Sequence, residues 1–404
     1  MPLHPWQEDH WLPGVLSKKQ VKKLIDREYL NGVSNFEKAA DYSAIDLTLS
    51  DHGYKMTSGA IKPCGSPKKN YSSFLHDSKY AQKLSPDQEG CFKLKKNECY
   101  VFPLAEKLTN KLIGSNIFGM ATAKSSVGRV DVIARLIIDG MRLYEYLNPE
   151  YMENSTGHMF LEIIPISFNV RVKPGISLSQ LRFFYGHPDK SIIDDDDFIK
   201  GALVGSDDGK GYLSVDLSET DVSGLKVVAY RALESEKENY VDLWKKNEDL
   251  KPDSCQFWYF DSIRDDDGRF TLQHNSFYLL RSKERIALPG TVAVYARPMD
   301  ETLGEMRIHY AGFAHPYFGL GRKDGKKGTP LIFEVRAYSV NVNLEHGESL
   351  AKLAFYRMSE RLDENKDKDP GYNDQELQLS GFFRKWPDNL ECEDSLNGRV
   401  RRKG

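Results

Sequence analysis

Hydrophobic and polar residues alternate over long stretches of the chain. Between residues 160 and 172 one parity reads Phe160, Glu162, Ile164, Ile166, Phe168, Val170 and Val172. A two-residue period rich in Val, Ile and Phe predicts half-buried β-strands, because successive strand side chains point to opposite faces. The segments KPGISL and EHGESL predict turns, with glycine supplying the permissive backbone. Helical periodicity is sparse. Its clearest instance is LSKKQVKKLIDREYL (16–30), with Val21, Leu24 and Ile25 on one face and Ser17 as a candidate cap.

The strand-like patterns occur twice. FLEIIPISFNVRVKPGISLSQLRF (160–183) is similar to IFEVRAYSVNVNLEHGESLAKLAF (332–355), and ECYVFPL (98–104) to SFYLLRS (276–282). Glu162 and Glu334, Gly175 and Gly347, and Gln180 and Lys352 keep one offset of 172 residues. Asp46 and Asp216, and Tyr100 and Tyr278, pair at slightly different offsets, as loop insertions would make them. The spacing far exceeds a solenoid repeat of about 20–50 residues. It predicts two whole-domain copies in a mainly β chain: copy 1 over 1–190, an acidic linker over 191–210, copy 2 over 211–362, and a C-terminal lid segment and tail over 363–404.

Composition narrows the function classes. The chain has 404 residues, 40% of them hydrophobic, and a formal charge of −3, which suits a packed globular protein and offers no broad positive field to nucleic acid or membrane. No apolar run approaches a membrane span, and the N-terminus lacks a signal-peptide layout, so a cytoplasmic location is expected. Five scattered cysteines form no C-x-x-C pair, so neither a disulfide framework nor the zinc constellation of metal-dependent deaminases is expected. Asp194–Asp197 read as a solvated linker. The stretch 321–329, GRKDGKKGT, departs from the P-loop pattern and reads as a hairpin loop.

The sharpest chemical motif is KSSVGR, Lys124–Arg129. It packs two hydroxyls, two cations and a glycine into six residues after an expected strand. Such a turn aims hydroxyls and a guanidinium fork at phosphate oxygens, although an ordinary polar turn has the same composition.

Taken in order, the motifs resemble the dCTP deaminase/dUTPase superfamily. KSSVGRVDVIARLIIDG (124–140) is similar to its phosphate-binding motif and SAIDL (43–47) to its first motif. HYAGFAHPYFG (309–319) resembles its nucleobase hairpin, FLEI and IFEV the strand bearing the deaminase glutamate, and PGYNDQELQLS (370–380) its C-terminal segment. The tandem layout resembles the double-length dCTP deaminases of some bacteria. The resemblance implies two dUTPase-like distorted β-barrel or jelly-roll domains with a few short helices. It implies hydrolytic deamination of dCTP to dUTP, with dUTP pyrophosphatase or bifunctional activity, or a non-catalytic nucleotide-binding regulator, as alternatives.

The resemblance also distributes roles. Lys124, Ser125, Ser126 and Arg129 would hold the triphosphate, and Glu162 or Glu334 would be the general base. Asp139 would lie near sugar or base, Ala311 would belong to the nucleobase hairpin, and Tyr372 and Gln375 to the lid. No tightly bound cofactor is expected, and Mg²⁺ would arrive with the triphosphate. Family sites form between subunits, usually in trimers, so a homo-oligomer is expected. The copies differ: RPMDET, Arg297–Thr302, is set against KSSVGR, and His315 stands where the hairpin usually has Asp. Copy 1 keeps the phosphate grip, so a ring of like copies favours Glu162 as the base. Glu334 becomes the base only if unlike copies share a site. Asp46 and Asp216 read as turn-stabilising residues.

Overall fold

The structure is a computed structural model, and it describes residues 6, 9–63, 70–233, 239–262, 267–298, 306–308, 312–362, 373–394 and 398–403. The alternating segments form curled antiparallel sheets, and the chain is mainly β with short helices, in two jelly-roll-like units. In the first unit one sheet runs Tyr146–Leu147, Ile117–Ala123, Ser177–Tyr185, Ala44–Thr48 and Ala40–Asp41. The other runs Val132–Ile138, His158–Pro165, Tyr100–Leu108, Tyr54–Met56 and Ala81–Lys83. The second unit repeats the central pairings: Phe277–Ile286 pairs with Thr329–Ala337, and Ser349–Arg357 lies between Tyr212–Asp216 and Val292–Pro298.

Hydrogen bonds show the duplication as plainly as strand order. Tyr100 and Tyr278 each accept at the hydroxyl from a backbone N–H five residues earlier, of Lys95 and Gln273, at 2.9 Å in both cases. Buried Glu106 accepts from Thr48 N at 2.8 Å, and buried Glu284 from Ser214 N at 2.6 Å. Gly175 and Gly347 both turn with positive φ, +81° and +85°. Both sites have room for a side chain, but the left-handed backbone strains any residue with a Cβ, which is why glycine recurs.

Strand register corrects two alignments. Asp46 lies opposite Gln180, and Tyr212 lies opposite Lys352, so the counterpart of Asp46 is Tyr212, not Asp216. Ala123 lies opposite Ser179 and Pro298 opposite Ala351, so the segment matching Lys124–Arg129 begins at Met299, two residues later than the motif comparison placed it. Residues 299–305 lie outside the described residues. Their sequence, MDETLGE, has three carboxylates and neither Ser, Lys nor Arg.

Other expectations change in detail. The strand His158–Pro165 is buried on both parities, not one, because Phe160 packs under Tyr54 and Tyr71 while Leu161 and Ile163 enter the main core. The first long helix is Lys18–Asp26, closed by a capping box between Ser17 and Gln20. The acidic stretch is folded and not a linker: Asp195 caps helix Asp196–Ala202 by accepting from Phe198 N, and Leu203–Val204 joins the edge of Phe277–Ile286. The tail is likewise built into the fold. Phe383 packs against Trp258, Phe257 and Phe168, Trp386 against Phe260, and the hairpin Leu390–Asp394 with Arg399–Arg402 closes the end. Among the described residues no helix is long and apolar enough to cross a membrane.

Candidate active site between the two copies

A cavity of about 370 Å³ lies at the junction of the two units, lined by residues of both. Copy 1 contributes the end of strand Ile117–Ala123 and the short helical turn Ser125–Gly128 that follows it. Copy 2 contributes the middle of strand Thr329–Ala337, which carries Glu334, and the strand pair around Ala296 and Phe313. The sequence-predicted Lys124, Ser125, Arg129, Glu334 and Gln375 all line it. Ser126, the next hydroxyl, faces an adjoining cleft and its carbonyl accepts from Ser380 Oγ at 2.6 Å.

Glu334 is pressed against the phosphate-motif turn. A Cβ placed on Gly128 would stand 2.1 Å from Glu334 Oε2, so glycine at 128 is what admits the carboxylate. Glu334 is 7% exposed. Burial pushes its carboxyl up to about 8, with Arg129 opposing the shift and Asp131 adding to it. Two residues along the strand, Arg336 donates to Asp131 of copy 1 through Nε at 3.1 Å and through Nη2. Ser167 donates to the same carboxylate oxygen at 2.7 Å. Asp131 is fully buried, so this cross-copy pair fixes the turn against the Glu334 strand.

The cationic side of the cavity is held by a polar chain. Lys124 Nζ donates to Asp46 Oδ2 at 2.5 Å, Gln180 donates to Asp46 Oδ1 at 3.0 Å, and Arg182 donates to Gln180 at 3.0 Å and to Thr122 Oγ1 at 2.9 Å. Arg182 is buried, its guanidinium stacked 3.4 Å above the Phe313 ring of copy 2, and burial lowers its pKa from the usual arginine range. His315 lies 3.5 Å from Asp41 of copy 1. Its pKa is pushed down to about 3 by burial and by the charges of Arg182 and Lys124, so its ring is neutral. Sequence reading missed Gln180, Arg182 and Asp41 as site residues and took Asp46 for a turn residue. The signal for Gln180 was its exchange for Lys352 in the other copy; Arg182 and Asp41 carried none.

The C-terminal segment crosses the junction. Arg129 donates to Gln375 Oε1 at 2.9 Å, and Gln375 donates to Pro330 O at 3.0 Å. Buried Arg322, within the expected hairpin loop, donates to the carbonyls of Asn373 and Gln375 and to Glu376. Ala311 and Tyr372 lie outside the described residues.

Two sequence-predicted residues stand elsewhere. Glu162 is fully buried and binds Arg135, whose Nε donates at 2.9 Å, while Tyr144 donates at 3.2 Å. It does not line the junction cavity, and its carboxylate is already engaged. Asp139 is buried in copy 1, where it accepts from Tyr71 N at 2.8 Å and Thr156 Oγ1 at 2.5 Å, organising the insertion after strand Val132–Ile138. Among the described residues no cluster of His, Cys, Asp and Glu has the makings of a metal cage.

The comparisons with known proteins fall on both copies. Residues 12–187 match the family model described as the 2′-deoxycytidine 5′-triphosphate deaminase (DCD) N-terminal domain, and residues 189–383 match that of its C-terminal domain. Among solved structures, the chain is similar to a 2′-deoxycytidine 5′-triphosphate deaminase from Agrobacterium tumefaciens. The TM-score is 0.73 at 26% identity, covering 86% of this chain and 96% of that one. No curated protein sequence matches.

Proposed function

The chain belongs to the 2′-deoxycytidine 5′-triphosphate deaminase family, and from that premise we propose that it hydrolyses dCTP to dUTP and ammonia in the cavity between its own two copies. The observation that carries this reading is the meeting of Glu334 with the Lys124–Arg129 turn. A phosphate grip from one copy and a buried carboxyl from the other face a single space.

In this reading Ser125, Lys124 and Arg129 hold the phosphate nearest the sugar, and Gln375 closes over them. Mg²⁺ accompanies the triphosphate as part of the substrate. Glu334 in its ionised form takes a proton from a water molecule, and the oxygen attacks C4 of the cytosine. The proton passes to the amino nitrogen, the C4–N4 bond breaks and ammonia leaves, while the proton of the added hydroxyl moves to N3 as the C4 carbonyl forms. A carboxyl whose pKa lies near working pH suits both halves of that transfer. Glu162 has a structural role, neutralising Arg135.

The division of labour follows from what each copy has lost. Copy 2 lacks the phosphate donors in 299–305, and copy 1 has its glutamate tied to Arg135. One working site per chain results, shared by unlike copies. The test is an assay of dCTP, CTP and dUTP with ammonia and pyrophosphate measured separately. Ammonia from dCTP without pyrophosphate is expected. Pyrophosphate as the sole product, or no product from any of the three, would refute the reading.

A further inference from the structure

The basic loop 321–329 of copy 2 carries Arg322, Lys323, Lys326 and Lys327, and none of them lines the junction cavity. The three lysines are exposed, whereas the Arg322 side chain is 1% accessible. A buried guanidinium must have its N–H groups paired. Arg322 Nε and Nη2 donate to Asp324 at 2.8 and 2.6 Å, a two-point hold inside the loop. Nη2 also donates to Glu376 at 2.9 Å, and Nη1 donates to Asn373 O at 2.9 Å and Gln375 O at 3.2 Å.

The loop thus grips residues 373–376 of the C-terminal segment, and its neighbours grip the same stretch. Gly319 N donates to Asn373 Oδ1 at 2.9 Å, Asn373 Nδ2 to Leu320 O at 2.8 Å, and Lys323 N to Asp374 Oδ1 at 2.8 Å. Arg285 Nη2 donates to Glu376 at 2.7 Å. All these partners belong to copy 2. Within the gripped stretch, Gln375 Nε2 donates to Pro330 O at 3.0 Å, which turns Oε1 toward copy 1, where it accepts from Arg129 Nη2 at 2.9 Å. An amide has one donor end and one acceptor end, so these two contacts fix its orientation. A guanidinium is a planar fork, and its hold on an anion depends on how that plane is set.

We propose that Arg322 is a positioning residue for the deamination. It clamps 373–376 to copy 2, the clamp holds Gln375 against Arg129, and Gln375 sets the plane in which Arg129 meets the nucleotide. This rests on the reading that the junction cavity holds dCTP. The loop 321–329 therefore belongs to the working site although none of its residues lines the cavity.

The test uses the full-length chain and the variants Arg322→Met, Gln375→Leu, the two combined, and Asp324→Asn. Asp324 is 39% accessible, so its change loosens the Arg322 fork and leaves the core alone. Ammonia release from dCTP gives kcat and KM. Arg322→Met and Gln375→Leu are each expected to raise KM about tenfold, as losing one charge-assisted contact does, with kcat changed by less than about threefold. The combined variant is expected to match the single ones, because both act on one contact; independent losses would multiply to about a hundredfold. Asp324→Asn is expected to raise KM about threefold, a fraction of the same loss. Hydrogen exchange across 373–380 is expected to quicken about tenfold in Arg322→Met and measurably in Asp324→Asn, with strand Ala44–Thr48 unchanged. A multiplied loss in the combined variant, or wild-type KM in Arg322→Met, overturns the proposal. So does wild-type exchange in Asp324→Asn, even if Arg322→Met does not fold. A wild-type chain that turns over no cytosine nucleotide refutes the deaminase reading instead, and quickened exchange then upholds the clamp on its own.

Discussion

Gly128→Ala isolates the contact on which the shared site depends. The added methyl carbon would lie 2.1 Å from Glu334 Oε2, 2.7 Å from Cδ and 2.9 Å from Oε1. Carbon and oxygen meet at about 3.3 Å or more, so the carboxyl must retreat by about 1 Å. The retreat is constrained, because Glu334 is buried in the middle of a strand paired on both sides, with Phe277–Ile286 and Met306–Ile308. A displacement of about 1 Å at a reacting group typically costs about 10²-fold in rate. Stability is expected to behave differently. Gly128 closes a helical turn, where Ala is favoured over Gly by up to about 1 kcal/mol. That gain offsets the strain at the flexible end of one side chain, so Tm should move by no more than about 4 °C. Initial rates of ammonia release at saturating dCTP, with a melting curve on the same sample, read both quantities. A rate within threefold of wild type would show that Glu334 does not act from the position it occupies against the turn.

Three further outcomes follow from the same geometry. Arg129→Ala should weaken dCTP binding by about 1.5–3 kcal/mol, the loss of one charge-assisted phosphate contact; calorimetry giving wild-type affinity would remove Arg129 from the site. The Glu334 carboxyl is raised from 4.5 to about 8 chiefly by burial, so kcat/KM for dCTP should climb with pH up to about 8 as the base ionises. Because the folded-state value is raised, the stability this group confers is complete below about 4.5 and is lost as pH rises through about 8. Glu334→Gln should therefore melt above wild type at pH 8.5 and not at pH 4, and equal melting temperatures at both would contradict the buried-carboxyl assignment. Arg336→Met leaves Asp131 buried without its cation, a loss of about 3–5 kcal/mol, read by urea unfolding; a change under 1 kcal/mol would mean that the pair does not lock the copies together.

Much of this molecule is legible in its sequence. Period-two alternation gave the strands, and the Tyr100/Tyr278 and Glu162/Glu334 matches exposed the duplication because both copies reuse the same backbone contacts. The Lys124–Arg129 motif was local, and local motifs survive in sequence. What sequence could not give was which copy faces which. That depends on the Asp131–Arg336 pair across 205 positions, and no periodicity encodes it. Glu162 was favoured because a like-copy ring was assumed; the Arg135 that occupies it comes from the facing strand, which only register reveals. Asp216 was matched to Asp46 because both precede a leucine, while the ladder sets Tyr212 there. The anchoring of the tail by Phe383 and Trp386 against aromatic residues of both copies carried no periodic signal, because two isolated aromatics in a polar stretch mark neither a helix nor a strand.

The central claim is that one site is built from unlike copies, with Glu334 as its base and the copy 1 turn as its grip. Glu162→Gln and Glu334→Gln, compared side by side for ammonia release and for dCTP binding, test it most directly. The account predicts that Glu334→Gln lowers kcat about 10²–10⁴-fold, as loss of a positioned general base does, while still binding dCTP. Glu162→Gln should keep its turnover and lose stability, because a neutral amide replaces the carboxylate that balances the Arg135 charge. Loss of turnover in Glu162→Gln, with Glu334→Gln active, would contradict the account and return the chemistry to a site within like copies.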